Sequence, residues 1–341
     1  MKSTIRKIFK RQGGFKAAVQ RIGFKLHRIK PNSSDLERVS QIWGQWAAKK
    51  NGDAPPVAWT DSSLVQRYYI HPIISGTPDD NWLSWIKKQY FSASVKQALS
   101  LGCGDGCLER HAMAVNIAEH FDAYDISAGA VEIAKQKAVE FEIDKYVSYH
   151  VADLNTIKLP EEKYNVVFAA MSLHHIENLE HLVNQIRYAL KPNGLFVLNE
   201  FVGPNRFQWT KEQVKIANDL IRIIPEKYRH CKIRHETKNR VSQPTVQDMI
   251  EGDPSEAVRS QEIIDVVASM FDIIHRKDYG GTILNILLEG IVCNFVENDE
   301  NAMALLSVIF YIEKCLIAQQ VLPSDFTLMV CQKISNRNPF I

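Results

Sequence analysis

No two of the six cysteines stand in a C-x-x-C spacing; Cys103, Cys107, Cys231, Cys293, Cys315 and Cys331 are scattered along the chain. That excludes a disulfide framework and a cysteine zinc site, and fits reduced thiols in core or site positions. Long apolar runs are also missing. The most apolar stretch, Ala302 to Ile312, is too short to cross a bilayer and ends in Glu313-Lys314. The first thirty residues lack the uninterrupted apolar core of a secretory signal. Net charge is only +2 over 341 residues, so the chain as a whole carries no nucleic-acid signature. Internal repeats and low-complexity segments are absent too. These absences leave an ordinary globular chain, 45% hydrophobic and 23% charged, with room for one large α/β domain or two modest ones.

One local absence is informative. Residues 1–30 hold ten Lys/Arg and no Asp or Glu, which leaves 31 basic against 39 acidic residues in the remainder. Phe15, Val19, Ile22, Leu26 and Ile29 recur at steps of four, three, four and three, one apolar helical face, with Lys16, Lys25 and Arg28 largely off it. Residues 1–30 therefore read as a basic amphipathic arm suited to contact with an anionic membrane surface. Docking on the protein's own body or on a partner, and a mitochondrial presequence, are the alternatives. Residues 31–94 read as an N-terminal helical cap, with a helix from Ser34 or Asp35 to about Lys50 and further helical stretches at Asp61–Tyr69 and Asp80–Phe91.

From Val95 to Phe201 the chain alternates in the βαβ manner. Strands are expected near residues 97–102, 120–125, 147–151, 164–170 and 194–200, with a helix-compatible stretch at Leu108–Ala118. Residues 203–260 break the alternation and read as a helical lid, with one helix from Thr210 to Arg222 and a second opening at Asp253-Pro254-Ser255-Glu256. That tetrad looks like a capping box with proline at the first helical position. A strand at Phe271–Arg276, a long helical stretch at Ile283–Gln320 and a strand at Phe326–Lys333 close the chain. Residues 95–202 and 261–341 thus form the expected core.

The chemistry lies at the carboxyl ends of the strands. Leu99-Ser100-Leu101-Gly102-Cys103-Gly104-Asp105-Gly106 places three alternate glycines after the first strand, where a backbone turns sharply against a ligand. The second strand ends in Tyr124-Asp125, an acid able to accept both hydroxyls of a ribose. The third ends in Val151-Ala152-Asp153-Leu154-Asn155, another acid, able to accept an adenine amine. The fourth runs into Met171-Ser172-Leu173-His174-His175, and Leu190-Lys191-Pro192-Asn193-Gly194 turns the chain into the fifth, which ends at Glu200.

This set, in this order and spacing, resembles a class I S-adenosylmethionine-dependent methyltransferase. A dinucleotide site would call for G-x-G-x-x-G, whereas this turn is G-x-G-x-G. The resemblance implies an α/β Rossmann-like fold, a seven-stranded mostly parallel sheet of order 3-2-1-4-5-7-6 with the last strand antiparallel. It implies S-adenosylmethionine as cofactor. Gly102, Cys103, Gly104 and Gly106 would form the loop under its methionine part, Asp125 and Ile126 would meet the ribose, Asp153 and Leu154 the adenine, and Met171 would lie near the sulfonium. Ser100 stands where the family usually has an acid, so the cofactor's ammonium would fall to backbone carbonyls or water.

For the reaction, His175 and His174 after the fourth strand and Glu200 at the end of the fifth are the candidate general bases. No metal is expected: His174, His175 and His181, at offsets of one and six, share no helical face, and Met171-Ser172 offers no acid where metal-dependent oxygen methyltransferases need one. In the lid, Arg206 and Trp209 of Asn205-Arg206-Phe207-Gln208-Trp209, with Arg259, suit a sugar or an anionic acceptor; His71 is a weaker candidate.

The lid pattern resembles bacterial methyltransferases of the type 11 and 12 kind, some associated with surface-polysaccharide assembly. The expected acceptor is a small molecule or glycan-lipid, methylated on a hydroxyl at the cytoplasmic face of the inner membrane. Nitrogen or carbon methylation of a small metabolite is one alternative, and a low-activity cofactor-binding regulator is another.

Overall fold

The computed structural model describes residues 34–50, 55–232 and 235–333. The arm expected at residues 1–30 lies outside them. Seven strands form one sheet: β1 (Val95–Leu101), β2 (Ala118–Asp125), β3 (Val147–Val151), β4 (Tyr164–Ala170), β5 (Leu190–Phe201), β6 (Phe271–Gly280) and β7 (Phe326–Lys333). Their spatial order is β3-β2-β1-β4-β5-β7-β6, parallel from β3 through β5, with β7 antiparallel to both its neighbours. This is the expected topology. The strand order reverses beside β1, and ligands in open α/β sheets bind at the carboxyl ends near such a point.

β4 shows why these residues make a central strand. Val166, Phe168 and Ala170 face one apolar layer, while Val167 and Ala169 face the other. A side-chain period of two thus buries both faces of the sheet. Trp82, Leu83 and Ile86 of the N-terminal cap join the first layer, and Leu182, Val183 and Ile186 join the second. Eight longer helices flank the sheet: α1 (Asp35–Lys50), α2 (Trp82–Tyr90), α3 (Cys107–Ala114), α4 (Ala128–Glu140), α5 (Leu179–Ala189), α6 (Lys211–Ile223), α7 (Ile263–Met270) and α8 (Glu300–Ala318).

α1 crosses α4 with its backbone in contact. An ideal Cβ on Gly129 would stand 3.1 Å from the Gly44 Cα, and Ser127 Oγ donates to the Ser40 carbonyl at 2.7 Å. The two glycines are what permits so close a crossing. It fixes α1 over the carboxyl edge of β1 and β2.

Four expectations about elements are corrected. The Lys191-Pro192-Asn193-Gly194 turn is an irregularity inside β5, where the register against β4 shifts and Asn193 takes a φ of 64°. The Asp253-Pro254-Ser255-Glu256 tetrad opens no helix. The lid helix there runs Val246–Gly252, capped by Thr245 and Asp248, and Asp253 ends it. The long stretch from Ile283 is broken: Gly290 at φ 75° and a short 3-10 turn separate Leu284–Leu288 from α8.

α8 itself extends beyond Ala302–Ile312 to nineteen residues, and by length and composition alone it is long and apolar enough to cross a membrane. It packs on the domain through Leu306, Ile309 and Phe310. Glu313, fully buried, accepts from the amides of Gly281, Ile283 and Leu284 at 2.7, 2.6 and 2.8 Å and from Tyr69 Oη at 2.8 Å.

Candidate active site

A cavity of about 590 Å³, open to solvent, lies at the carboxyl edge of the sheet. Gly102, Asp125, Ile126, Asp153, Leu154, Met171 and His175 line it, so the carboxyl ends of four parallel strands converge. Cys103, Gly104 and Gly106 shape the loop beside the cavity without lining it. Leu36, Val39 and Trp43 of α1 form an apolar wall that the motif reading did not include. The signal for them was the apolar spacing of α1 itself.

The glycine turn is built by need. Gly102 has a φ of 71°, and a Cβ there would stand 2.4 Å from the Ser172 Cβ. Asp125 holds the loop: its Oδ2 accepts from the Gly104 amide at 2.7 Å and its Oδ1 from the Ser127 amide at 2.9 Å. A carboxylate has about four acceptor positions, and these two amides meet one on each oxygen. Asp153 Oδ1 accepts from the amide and side chain of Asn155, at 2.9 and 3.0 Å. Ser100 is buried in β1 and is not among the lining residues.

Behind the cavity stands a buried histidine–carboxylate pair. Met171 takes a φ of 52° and turns the chain after β4. Glu200, at the end of β5, receives the amides of Ser172 and Leu173 on Oε1, at 2.5 and 2.7 Å, and His174 Nδ1 on Oε2 at 2.7 Å. His174 and Glu200 are 1% and 0% exposed, and neither lines the cavity. Burial opposes the charged imidazole, but the carboxylates of Glu200 and Glu256 overcome it and hold the His174 pKa above its ordinary value.

His175 is the histidine that reaches the cavity. Its Nδ1 lies 3.1 Å from Ser255 Oγ, and Trp43 meets its ring edge-on at 4.9 Å between centroids. Ser255 Oγ donates to Asp253 Oδ1 at 2.7 Å. Its single proton is thereby committed, so it accepts from His175 Nδ1–H and leaves the imidazole lone pair on Nε2. Burial pushes the Asp253 carboxyl above its usual range.

The lid residues play other parts than expected. Arg206 Nη1 donates to the carbonyls of Pro254 and Glu256, at 2.7 and 3.0 Å, and its amide to Ala257 O at 2.7 Å. From the other side the Val258 amide donates to His174 O at 2.9 Å. Residues 253–258 are thus pinned against the two histidines. Trp209 is buried and stacks on Phe207 at 5.4 Å. Arg259 is committed to Glu180, through both terminal nitrogens at 2.7 Å, and to Glu262 at 2.6 Å. His71 Nδ1 closes a turn on the Pro78 carbonyl at 2.9 Å, away from the lining residues. None of the four is therefore presented to the cavity as a substrate contact. Glu256 was missed as well; it is 1% exposed, and its carboxylate comes within 3.6 Å of His174 Nε2.

Comparison with known proteins decides the class. The family described as "Methyltransferase domain" matches residues 99–196. That span is a methyltransferase domain. It holds both histidines and the residues expected to hold S-adenosylmethionine: the glycine turn, Asp125, Asp153 and Met171. The cavity fits that cofactor: a turn that a Cβ would fill, and two acids at adjacent strand ends.

The 27-O-demethylrifamycin SV methyltransferase of Amycolatopsis mediterranei is 25% identical over 189 residues, covering 51% of this chain and 68% of that protein. The mitochondrial arginine-hydroxylase NDUFAF5 of Rattus norvegicus is 31% identical over 111 residues, 33% of this chain and 30% of its own length. Among solved structures, phosphoethanolamine N-methyltransferase 2 of Haemonchus contortus, in complex with S-adenosyl-L-methionine, shares the fold at a TM-score of 0.50 and 15% identity, covering 90% of this chain and 61% of that one.

Proposed function

We propose that the chain transfers a methyl group from S-adenosylmethionine to a hydroxyl of a small-molecule acceptor, with His175 as general base. One observation carries this reading: His175 lines the same cavity as Gly102, Asp125, Asp153 and Met171, with its Nδ1 held against Ser255 Oγ. The bound cofactor supplies an electrophilic methyl on a sulfonium. An alcohol attacking it must lose its proton, and a base in hydrogen-bond reach lowers that barrier. Ser255 and Trp43 orient the imidazole, Asp125 and Asp153 hold the nucleoside, and α1 covers the acceptor side.

The relative from Amycolatopsis mediterranei is by name an oxygen methyltransferase, which supports an oxygen acceptor here. The wall of Leu36, Val39 and Trp43 favours an acceptor with an apolar body, and a glycolipid intermediate meets both conditions. Of the lid residues expected to meet a sugar, Arg206, Trp209 and Arg259 are otherwise engaged.

Purified protein incubated with methyl-labelled cofactor and fractionated lipid and small-molecule extracts tests the reading. Label is expected on an oxygen of a small molecule or glycolipid, with His175→Ala slowing transfer by about 100-fold while cofactor affinity stays within about threefold. Label on protein, RNA or nitrogen alone would refute it.

A further inference from the structure

Beside the cavity, three buried or half-buried groups meet in a way the methyl-transfer reading does not use. His174 Nε2, His175 Nε2 and a carboxylate oxygen of Glu256 lie within 4.8 Å of one another. We propose that they form a binding site for a borderline divalent cation of the Zn²⁺ class, and that occupancy blocks His175 as a base. The second part rests on the proposed function; the first does not.

The donor atoms are pre-set. Glu200 is a carboxylate acceptor for His174 Nδ1 at 2.7 Å, so that ring carries its proton on Nδ1 and its lone pair on Nε2. Ser255, committed to Asp253, imposes the same tautomer on His175. A metal-binding histidine characteristically donates its other nitrogen to a carboxylate or hydroxyl, which fixes the ring and raises its basicity. Both histidines here already do so. His174 Nε2 is fully buried, makes no hydrogen bond and points at Glu256 Oε1, 3.6 Å away. Ligands at about 2.0–2.1 Å around a tetrahedral ion are separated by about 3.4 Å. That edge of the polyhedron is therefore nearly formed, and the others need closure from no more than 4.8 Å.

Two imidazoles and a carboxylate turned on one another within 4.8 Å offer an ion two nitrogens and an oxygen in one place. Two nitrogens and one oxygen suit zinc, cobalt or ferrous iron in preference to magnesium or calcium, which take oxygen ligands. The scaffold is firm on both sides: the Arg206 guanidinium holds the Pro254 and Glu256 carbonyls, and Val258 N holds His174 O. His175 lines the open cavity, which gives an ion its route in and a solvent-side fourth position. Coordination uses the His175 Nε2 lone pair, the one that would otherwise take the acceptor's proton.

Cobalt(II) titrated into the full, untagged chain tests the site by its visible d–d absorption. The expected result is saturation at one equivalent with the intensity of a tetrahedral or five-coordinate ion and displacement by Zn²⁺. Affinity should fall at least tenfold in Glu256→Gln and in His175→Ala, each checked for native circular dichroism. Absence of saturable binding below millimolar cobalt overturns the site, and so does binding that both variants leave unchanged. The rate of label transfer at saturating Zn²⁺ then separates the two claims. Inhibition of at least tenfold supports both. A site that binds while leaving transfer unchanged or faster keeps the cation site and overturns His175 as the base.

Discussion

His174 Nδ1 lies 2.7 Å from Glu200 Oε2, and both side chains are buried. The same carboxylate caps the amides of Ser172 and Leu173, so one side chain from the end of β5 sets the backbone and the first histidine after β4. Replacing it by Glu200→Gln removes the charge that holds the His174 pKa up. The imidazole, followed by its carbon-bound proton resonances, should then titrate at lower pH than in the wild type. The sign for stability follows. A raised pKa in the folded state contributes stability that is fully present below the unfolded value and is lost as pH rises through the folded one. Wild type should therefore lose part of its margin over Glu200→Gln as pH climbs through the His174 titration. An unchanged midpoint in the variant would contradict this.

Gly102→Ala tests the turn under the cofactor. The new Cβ meets Ser172 Cβ at 2.4 Å in a backbone region that disfavours a side chain. S-adenosylmethionine affinity, measured by calorimetry, should fall by at least tenfold, while thermal stability falls by about 1–3 kcal/mol from overpacking and strain. Wild-type affinity in the variant would mean that the loop is not held against the ligand.

Gly129→Ala probes α1. Its Cβ would press on the Gly44 backbone at 3.1 Å and push α1 outward, carrying Trp43 and the apolar wall with it. The expected signature is a raised KM for the acceptor with cofactor affinity within about threefold, because Asp125 and Asp153 lie on the sheet side. Equal losses for both ligands would show that α1 serves the cofactor instead.

Glu313→Gln addresses the core of the domain. The amide offers one acceptor oxygen where the carboxylate serves three backbone amides and Tyr69, and its NH₂ turns a donor toward donors. A loss of about 2–4 kcal/mol in chemical denaturation is expected. Burial raises the Glu313 pKa, so the wild type should lose stability as pH rises through that value. A neutral substitution would mean that α8 is held by its apolar face alone.

The strands were readable because each pairs an apolar run with a turn residue at its carboxyl end. β3, β4 and β7 coincide with their expected limits, as does the β3-β2-β1-β4-β5-β7-β6 order. The cofactor-side residues were readable for the same reason: Asp125 and Asp153 sit at strand ends, where topology alone places them. The lid was not. Arg206 and Trp209 look like ligand contacts by type, but their surroundings are set by packing between Phe207, Pro254 and Glu256, which local sequence does not encode. Asp253-Pro254-Ser255-Glu256 has the composition of a helix start, yet the preceding Thr245–Asp248 box had already begun the helix, and the tetrad became the loop that meets His174 and His175. Glu256 lies more than eighty residues from the histidines, so only the closed lid shows their proximity.

Calorimetric titration of S-adenosylmethionine into the purified chain tests the central claim most directly. The account predicts one saturable site whose affinity falls at least tenfold, about 1.4 kcal/mol or more, in both Asp125→Ala and Asp153→Ala. Absence of binding, or binding indifferent to both substitutions, would contradict it.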